Sequence, residues 1–244
     1  MTTPAMSELA WWEEYFAAGG GWERNGGREQ TRRFASQFVR RCGLERDADF
    51  SLLDVGCALG DALRVFAEAF PNARLHGIDF APTAVARCRA ELGSRAQVAV
   101  ASIEAVRGAY DVVYCSNTLE HFVDYDAKAR SLARQAARRL FVMVPYRELR
   151  DGKAIAPDPR QHHQHTFERH SFDFLVREGL ATGVRTQVFA CPGAWGWSAA
   201  DQVVQRAKNA GRALLRRPTL APPRQILYEI RRDGPAIDSA HDGP

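Results

Sequence analysis

The chain has 244 residues, 45% of them hydrophobic and 25% charged, the balance of a globular protein with room for one α/β domain or two small ones. Its formal net charge of +4 is carried by arginine, since Lys128, Lys153 and Lys208 are the only lysines; so modest a balance suits an acidic or phosphorylated substrate and does not call for nucleic acid. No apolar run reaches the ~18 residues of a membrane span, residues 1–12 lack the pattern of a signal peptide, and five cysteines without a C-x-x-C pair fit reduced thiols in the cytoplasm.

Ser7 to Ala18 reads as a short helix with Leu9, Trp12, Tyr15 and Phe16 on one side. Gly19 to Gly27 holds five glycines around Trp22 and reads as a flexible loop. The spacing of Phe34, Phe38 and Val39 predicts a helix over Arg28 to Cys42. An apolar strand, Phe50 to Val55, then runs into a turn containing Gly56 and Gly60, and a helix follows to Phe70. At such a turn backbone N–H groups lack partners, and glycine lets a ligand come close.

The pattern then repeats. Strand Arg74 to Ile78 ends at Asp79, and Pro82 opens a helix to Leu92. Strands Gln97 to Val100 and Tyr110 to Cys115 follow, then a helix over Tyr125 to Arg138 and a strand over Leu140 to Val144. Five short strands, most followed by a helix, define βαβ units and a parallel sheet buried on both faces. Beyond Tyr146 a long polar segment is too extended for an idle connection. Thr166 is placed to N-cap a helix that ends at Gly179. Strands over Val184 to Ala190 and Gln225 to Ile230 flank an amphipathic helix, Ala199 to Leu215. Its apolar face is expected to pack on the domain, with lying on a membrane surface as the alternative. Residues 1–49 therefore read as N-terminal helices with a lid, 50–231 as the main domain with an elaboration at 146–223, and 232–244 as a disordered tail.

Four segments, in this order, resemble the class I S-adenosylmethionine-dependent methyltransferases, over roughly Phe50 to Ile230. The resemblance implies an α/β fold: a Rossmann-like, doubly wound seven-stranded sheet with the last strand antiparallel and helices on both faces. The first segment, Asp54-Val55-Gly56-Cys57-Ala58-Leu59-Gly60, is similar to the family's acidic-x-G-x-G-x-G loop, with Ala58 in place of the middle glycine. It implies that Asp54, Gly56, Cys57 and Gly60 hold the methionine part of S-adenosyl-L-methionine. The loop lacks the G-x-G-x-x-G of dinucleotide sites, and Asp61 would repel a pyrophosphate. Asp79 implies an acceptor for both ribose hydroxyls, with Phe80 beside the adenine. Ser102 and Ile103 hold the places that meet the adenine ring, although the family more often has Asp at the first. Cys115, Ser116 and Asn117 would pass the sulfonium end. Some family members have E-x-x-E-H at this strand end and are proposed to bind a metal; Asn117 replaces the first Glu here, so no metal is carried over.

Methyl transfer to a hydroxyl needs an aligned acceptor and a base. Histidine suits that role near neutral pH, and His121, His163 and His165 lie where the acceptor region should be. His162-His163-x-His165 fits no zinc framework. Trp11, Trp12, Tyr15 and Trp22 are candidates for an aromatic wall near the cation, with packing the preferred role for Trp11 and Trp12, and Arg28 is a candidate for the cofactor carboxylate. The expected activity is O-methylation of a small molecule or glycan. N-methylation, or a partner subunit without catalysis, is the alternative.

Overall fold

The computed structural model describes residues 9–106, 108–147, 149–150, 153–154, 163–191, 199–217 and 224–232. Its centre is a seven-stranded sheet made of β1 (Ser51–Val55), β2 (Arg74–Asp79), β3 (Gln97–Val100), β4 (Tyr110–Ser116), β5 (Ala136–Pro145), β8 (Gly183–Ala190) and β9 (Arg224–Arg231). Two short strands, β6 (Leu149–Arg150) and β7 (Lys153–Ala154), pair only with each other. The spatial order is β3-β2-β1-β4-β5-β9-β8. Strands β1 to β5 run parallel, and β9 runs against both β5 and β8. This is the expected sheet, with the last strand reversed.

The central strands are apolar at nearly every position because both faces are covered. Leu52, Tyr114, Phe141 and Met143 enter a core with Phe34, Phe38 and Phe66. Their neighbours Leu53, Val113, Leu140 and Val142 enter a second core with Leu132, Phe167 and Phe172. The covering helices are α3 (Gly27–Val39), α4 (Asp61–Ala69), α5 (Pro82–Leu92), α6 (Tyr125–Gln135) and α7 (Asp173–Arg177). Two further helices precede them, α1 (Leu9–Phe16) and the single turn α2 (Gly21–Arg24), and α8 (Ala199–Leu214) lies between β8 and β9.

Four local expectations are corrected. The glycine-rich stretch is a packed seat, not a loop: a Cβ on Gly21 would fall 2.2 Å from the Tyr15 ring, and one on Gly27 2.5 Å from the Trp22 ring. Helix α6 stops at Gln135, because Ala136 already pairs with Tyr110 and the Arg232 guanidinium donates to the carbonyls of Ala133 and Ala136 at 2.7 and 2.8 Å. Thr166 caps no helix; Phe167 is extended, bridged to Tyr146 and buried, and α7 begins only at Asp173. The apolar residues of α8 are not core: Val203, Val204, Leu214 and Leu215 are 64%, 50%, 87% and 68% exposed. The tail expected from residue 232 lies, after Arg232 itself, outside the described residues. Among the described residues no helix is long and apolar enough to cross a membrane.

Candidate active site

The carboxyl ends of β1, β2 and β4, with the turn after β3, open onto a cavity of about 280 Å³. That edge is where an open α/β sheet binds its ligands. The N-terminal helices cover it. Trp12, Phe16 and Trp22 line one wall, and Gln30, Thr31 and Phe34 of α3 extend it. The cover is anchored by polar contacts. Glu13 accepts hydrogen bonds from the Thr83 amide and hydroxyl at the start of α5, at 3.0 and 2.5 Å. Arg87 of α5 donates to the Phe16 carbonyl and to Glu23, both at 2.7 Å.

The loop from β1 to α4 forms the back of the cavity. The amides of Gly56 and Cys57 both donate to the Ile78 carbonyl, at 2.9 and 3.0 Å, and that of Gly60 donates to the Cys57 carbonyl. The Ala58 amide donates to Asp79 Oδ2 at 3.0 Å. These amides are therefore spent within the protein and do not point out for a ligand. Asp61 is itself neutralised by Arg32 at 2.8 Å and Arg28 at 3.5 Å. Gly56 has φ +74°, and a Cβ there would lie 2.7 Å from Thr118 Oγ1. Ala58, where the family has its middle glycine, is held at φ +48°.

Two buried carboxyls face the cavity. Asp54 is 3% exposed, and its Oδ2 has no hydrogen-bond partner. Burial, and secondarily the Asp79 charge, push its pKa up to about 8. Asp79 is 5% exposed and accepts the Ala58 amide on Oδ2 and the Ala81 amide on Oδ1, each at 3.0 Å. Burial pushes its pKa up to about 6, against the pull of those amides. Phe80, Ser102, Ile103 and Glu104 line the cavity beyond β2 and β3, and the Trp12 ring centroid is 6.1 Å from that of Phe80.

At the other end lie Ser116, Asn117, Thr118 and His121. Asn117 takes φ +49°, a conformation asparagine tolerates, and is pinned by its amide to the Met143 carbonyl at 2.8 Å. The stretch from His163 docks against the turn that follows β4: the Gln164 amide donates to the Glu120 carbonyl at 2.6 Å. This brings the His163 ring centroid within 5.1 Å of the His121 ring. Glu120, His121 and His163 each offer a donor atom, and these lie within 4.8 Å of one another. Two imidazoles and a carboxylate so placed can share a proton or hold one divalent cation.

Of the residues singled out in the sequence, Asp54, Gly56, Asp79, Phe80, Ser102, Ile103, Ser116, Asn117 and His121 line the cavity. Cys57, Gly60, Cys115, His163 and His165 are not among its lining residues. The Cys57 thiol is hydrogen-bonded to the free thiol of Cys88, which with burial raises its pKa, and Cys115 points into the core under β4. A Cβ on Gly60 would meet Cys88 Sγ at 2.5 Å, so this glycine lets α4 and α5 pack closely. His165 directs Nε2 to the Val123 carbonyl at 2.9 Å and packs on Tyr125. Trp12 lines the cavity as well as packing on Phe16, whereas Trp11 stacks on Tyr15. Arg28 lies in a network with Glu23, Asp61 and Glu91, not in the cavity wall. Gln30 and Thr31 carried a signal that went unread: they precede Phe34, Ala35 and Phe38 at helical spacing, so they continue the buried face of α3 as polar residues.

A reversed last strand on a parallel sheet, with a buried acid at the end of β1 and another at the end of β2, is the arrangement of an α/β domain of the methyltransferase class. The chain matches the family described as Methyltransferase domain over residues 28–178, more than half its length, and belongs to that family. A search of curated proteins finds no match. Among solved structures, the chain is similar to magnesium protoporphyrin IX methyltransferase (ChlM) from Synechocystis PCC 6803 with bound SAM. That likeness has 16% identity and TM-score 0.55, and covers 93% of each chain. The plantazolicin methyltransferase BpumL, in complex with SAH and a desmethylPZN analog, is similar at 15% identity and TM-score 0.53, over 86% of each chain. A chain of the complex between the Haloferax volcanii Trm112 methyltransferase activator and a methyltransferase is similar at 14% identity and TM-score 0.63. It covers 94% of this chain and 99% of that one. At these identities the likeness is one of fold.

Proposed function

We propose that the chain transfers a methyl group from S-adenosylmethionine to a hydroxyl of a small molecule or glycan. The observation that carries this reading is that His121 stands at one end of the cavity whose back wall holds Asp54 and Asp79. The residues present fit the cofactor. The unpartnered, buried oxygen of Asp54 suits an ammonium. Asp79 accepts the backbone N–H groups of Ala58, Ala81 and Phe80, and its two oxygens offer about four lone-pair sites, which leaves capacity for ribose hydroxyls. Phe80, Ser102 and Ile103 suit an adenine, and Ser116 and Asn117 lie toward the reacting end. When bound, the cofactor supplies an electrophilic methyl on a sulfonium.

The protein's part is alignment and proton removal. Trp12, Phe16 and Trp22 keep water out. His121 accepts the hydroxyl proton as the new C–O bond forms, and the Glu120 carboxylate beside it stabilises the resulting imidazolium. His163 fixes the orientation of that pair. Five free, buried cysteines support a reducing compartment, the cytoplasm.

The reading is tested by following S-adenosylhomocysteine release with panels of phenols, sugars and amines. Turnover with hydroxyl acceptors is expected, and His121→Ala should lower kcat at least ~100-fold with the cofactor affinity unchanged. Turnover with amines alone would move the reaction to nitrogen. If calorimetry finds no S-adenosylmethionine binding, the chain is a partner subunit without catalysis.

A second reading is favoured by the geometry of Glu120, His121 and His163, whose donor atoms fit around one divalent cation. The cation would then hold the acceptor oxygen. Loss of turnover in EDTA, restored by a divalent metal, selects it; turnover indifferent to EDTA selects the base.

A further inference from the structure

We propose that α8 docks on the surface of an anionic lipid bilayer. Val203, Ala207, Ala210 and Leu214 follow the i, i+4, i+7, i+11 spacing of a single stripe along the helix. Val203 and Leu214 are 64% and 87% exposed, and Val204 and Leu215, beside the stripe, are 50% and 68% exposed. The aliphatic groups that the sequence pattern gathers on one face are thus left open to water. Lys208 and Arg212 fall on the opposite face by the same geometry, with Arg206 toward the boundary, and Arg216 and Arg217 follow the helix end.

Charge selects the occupant. Residues 199–217 hold five basic side chains, Arg206, Lys208, Arg212, Arg216 and Arg217, against the single acid Asp201. The excess of +4 equals the formal net charge of the entire chain. A second copy of the same helix would bring like charges together, whereas an anionic headgroup layer neutralises them. The helix is not long and apolar enough to cross a bilayer. Aliphatic groups on one face and arginine on the other make it suited to lie in the interface.

The topology gives the docking a consequence. β8 and β5 both run against β9, so β8 runs parallel to β1–β5 and ends on the edge of the sheet that carries the cavity. The excursion from Cys191 to residue 223, which holds α8, leaves from that edge and returns to it at the Ala190↔Arg224 pair. A bound helix ties the cavity's edge of the sheet to the lipid surface.

The test is co-sedimentation of the full chain with vesicles of phosphatidylcholine alone and of a phosphatidylcholine–phosphatidylglycerol mixture. Binding to the mixture that weakens in high salt, with none to phosphatidylcholine, is expected. Charge reversal at Arg206→Glu, Lys208→Glu and Arg216→Glu together should weaken binding at least ~100-fold, and Val203→Asp with Leu214→Asp at least ~10-fold. Both variants should bind S-adenosylhomocysteine as the native chain does, which shows that they are folded. No pelleting with the anionic mixture at low salt overturns the proposal. So does a dimer in light scattering that Val203→Asp with Leu214→Asp abolishes, because that gives the face to a second copy. Native chain that pellets with the mixture yet binds no S-adenosylhomocysteine would overturn the proposed reaction and leave the docking intact.

Discussion

Replacing Asp54 by asparagine should stabilise the free protein and impair the ligand-bound one, and pH should separate the two effects. Burial raises the Asp54 carboxyl to about 8 in the folded chain, against about 3.9 when unfolded. Between those values the folded chain keeps a proton that the unfolded chain releases. Stability therefore falls as pH rises, by about 1.4 kcal/mol per unit, reaching an upper figure of about 4 kcal/mol at pH 7. Asp54→Asn keeps the volume and removes the titration. Asp79, raised to about 6, is present in both proteins and cancels to first order in the comparison. Denaturant midpoints measured from pH 5 to pH 8 should show the variant ahead, with the gap widening as pH rises.

Ligand binding should run the other way. With a pKa of about 8, roughly 1% of Asp54 is ionised at pH 6 and half at pH 8. S-adenosylhomocysteine brings an ammonium that needs the ionised form. Its affinity should rise about tenfold from pH 6 to pH 7 and level off near pH 8, where the ligand's own amino group starts to lose its proton. In Asp54→Asn that rise should be absent. Parallel stability curves for the two proteins, or an affinity for the native chain that is flat from pH 6 to pH 8, would refute the reasoning.

Asp79→Ala removes the acceptor of the Ala58 and Ala81 amides together with the proposed ribose contact. Calorimetry should show S-adenosylhomocysteine binding weakened at least ~30-fold. Ala58→Gly relieves a φ of +48° that costs an L-residue about 1–2 kcal/mol, against about 0.5–1 kcal/mol of added chain freedom; a Tm higher by about 1–4 °C is expected. His165→Phe gives up the Nε2 contact to the Val123 carbonyl but keeps the packing on Tyr125. It should lower stability by about 1 kcal/mol and leave kcat unchanged.

The order of strands and loops was legible because each βα unit announces itself by an apolar run, a turn and a helical period. Asp54, Asp79, Ser102 and Asn117 could be placed at strand ends on that basis alone. The direction of individual side chains was less legible. Cys115 and Ser116 are adjacent in β4, and the pleat sends adjacent residues to opposite faces, so a contiguous Cys115–Asn117 stretch cannot all face one ligand. Turn backbone posed the same difficulty: nothing in the letters of Gly56 to Gly60 says that the amides of Gly56, Cys57 and Ala58 are spent on Ile78 and Asp79. His163 shows a further kind of information. Its proximity to His121 depends on contacts between segments more than forty positions apart, the Gln164 amide to the Glu120 carbonyl and His165 Nε2 to the Val123 carbonyl.

Helix α8 marks where periodicity stops being informative. The spacing of Val203, Ala207, Ala210 and Leu214 predicts which side of the helix is apolar, and that side is as drawn. Whether something covers it is a property of the fold, since the same stripe serves a core, a second subunit or a lipid surface. In α3, Phe34 and Phe38 are buried in a core with Phe66, Tyr114 and Phe141, although eleven positions separate the helix from β1. In α8, with nine positions before β9, Val203, Val204 and Leu214 stay 64%, 50% and 87% exposed, so the length of the connection does not decide the packing. With the face exposed and the positive charge concentrated in the same segment, what remains to choose among partners is electrostatics, and that favours an anionic surface.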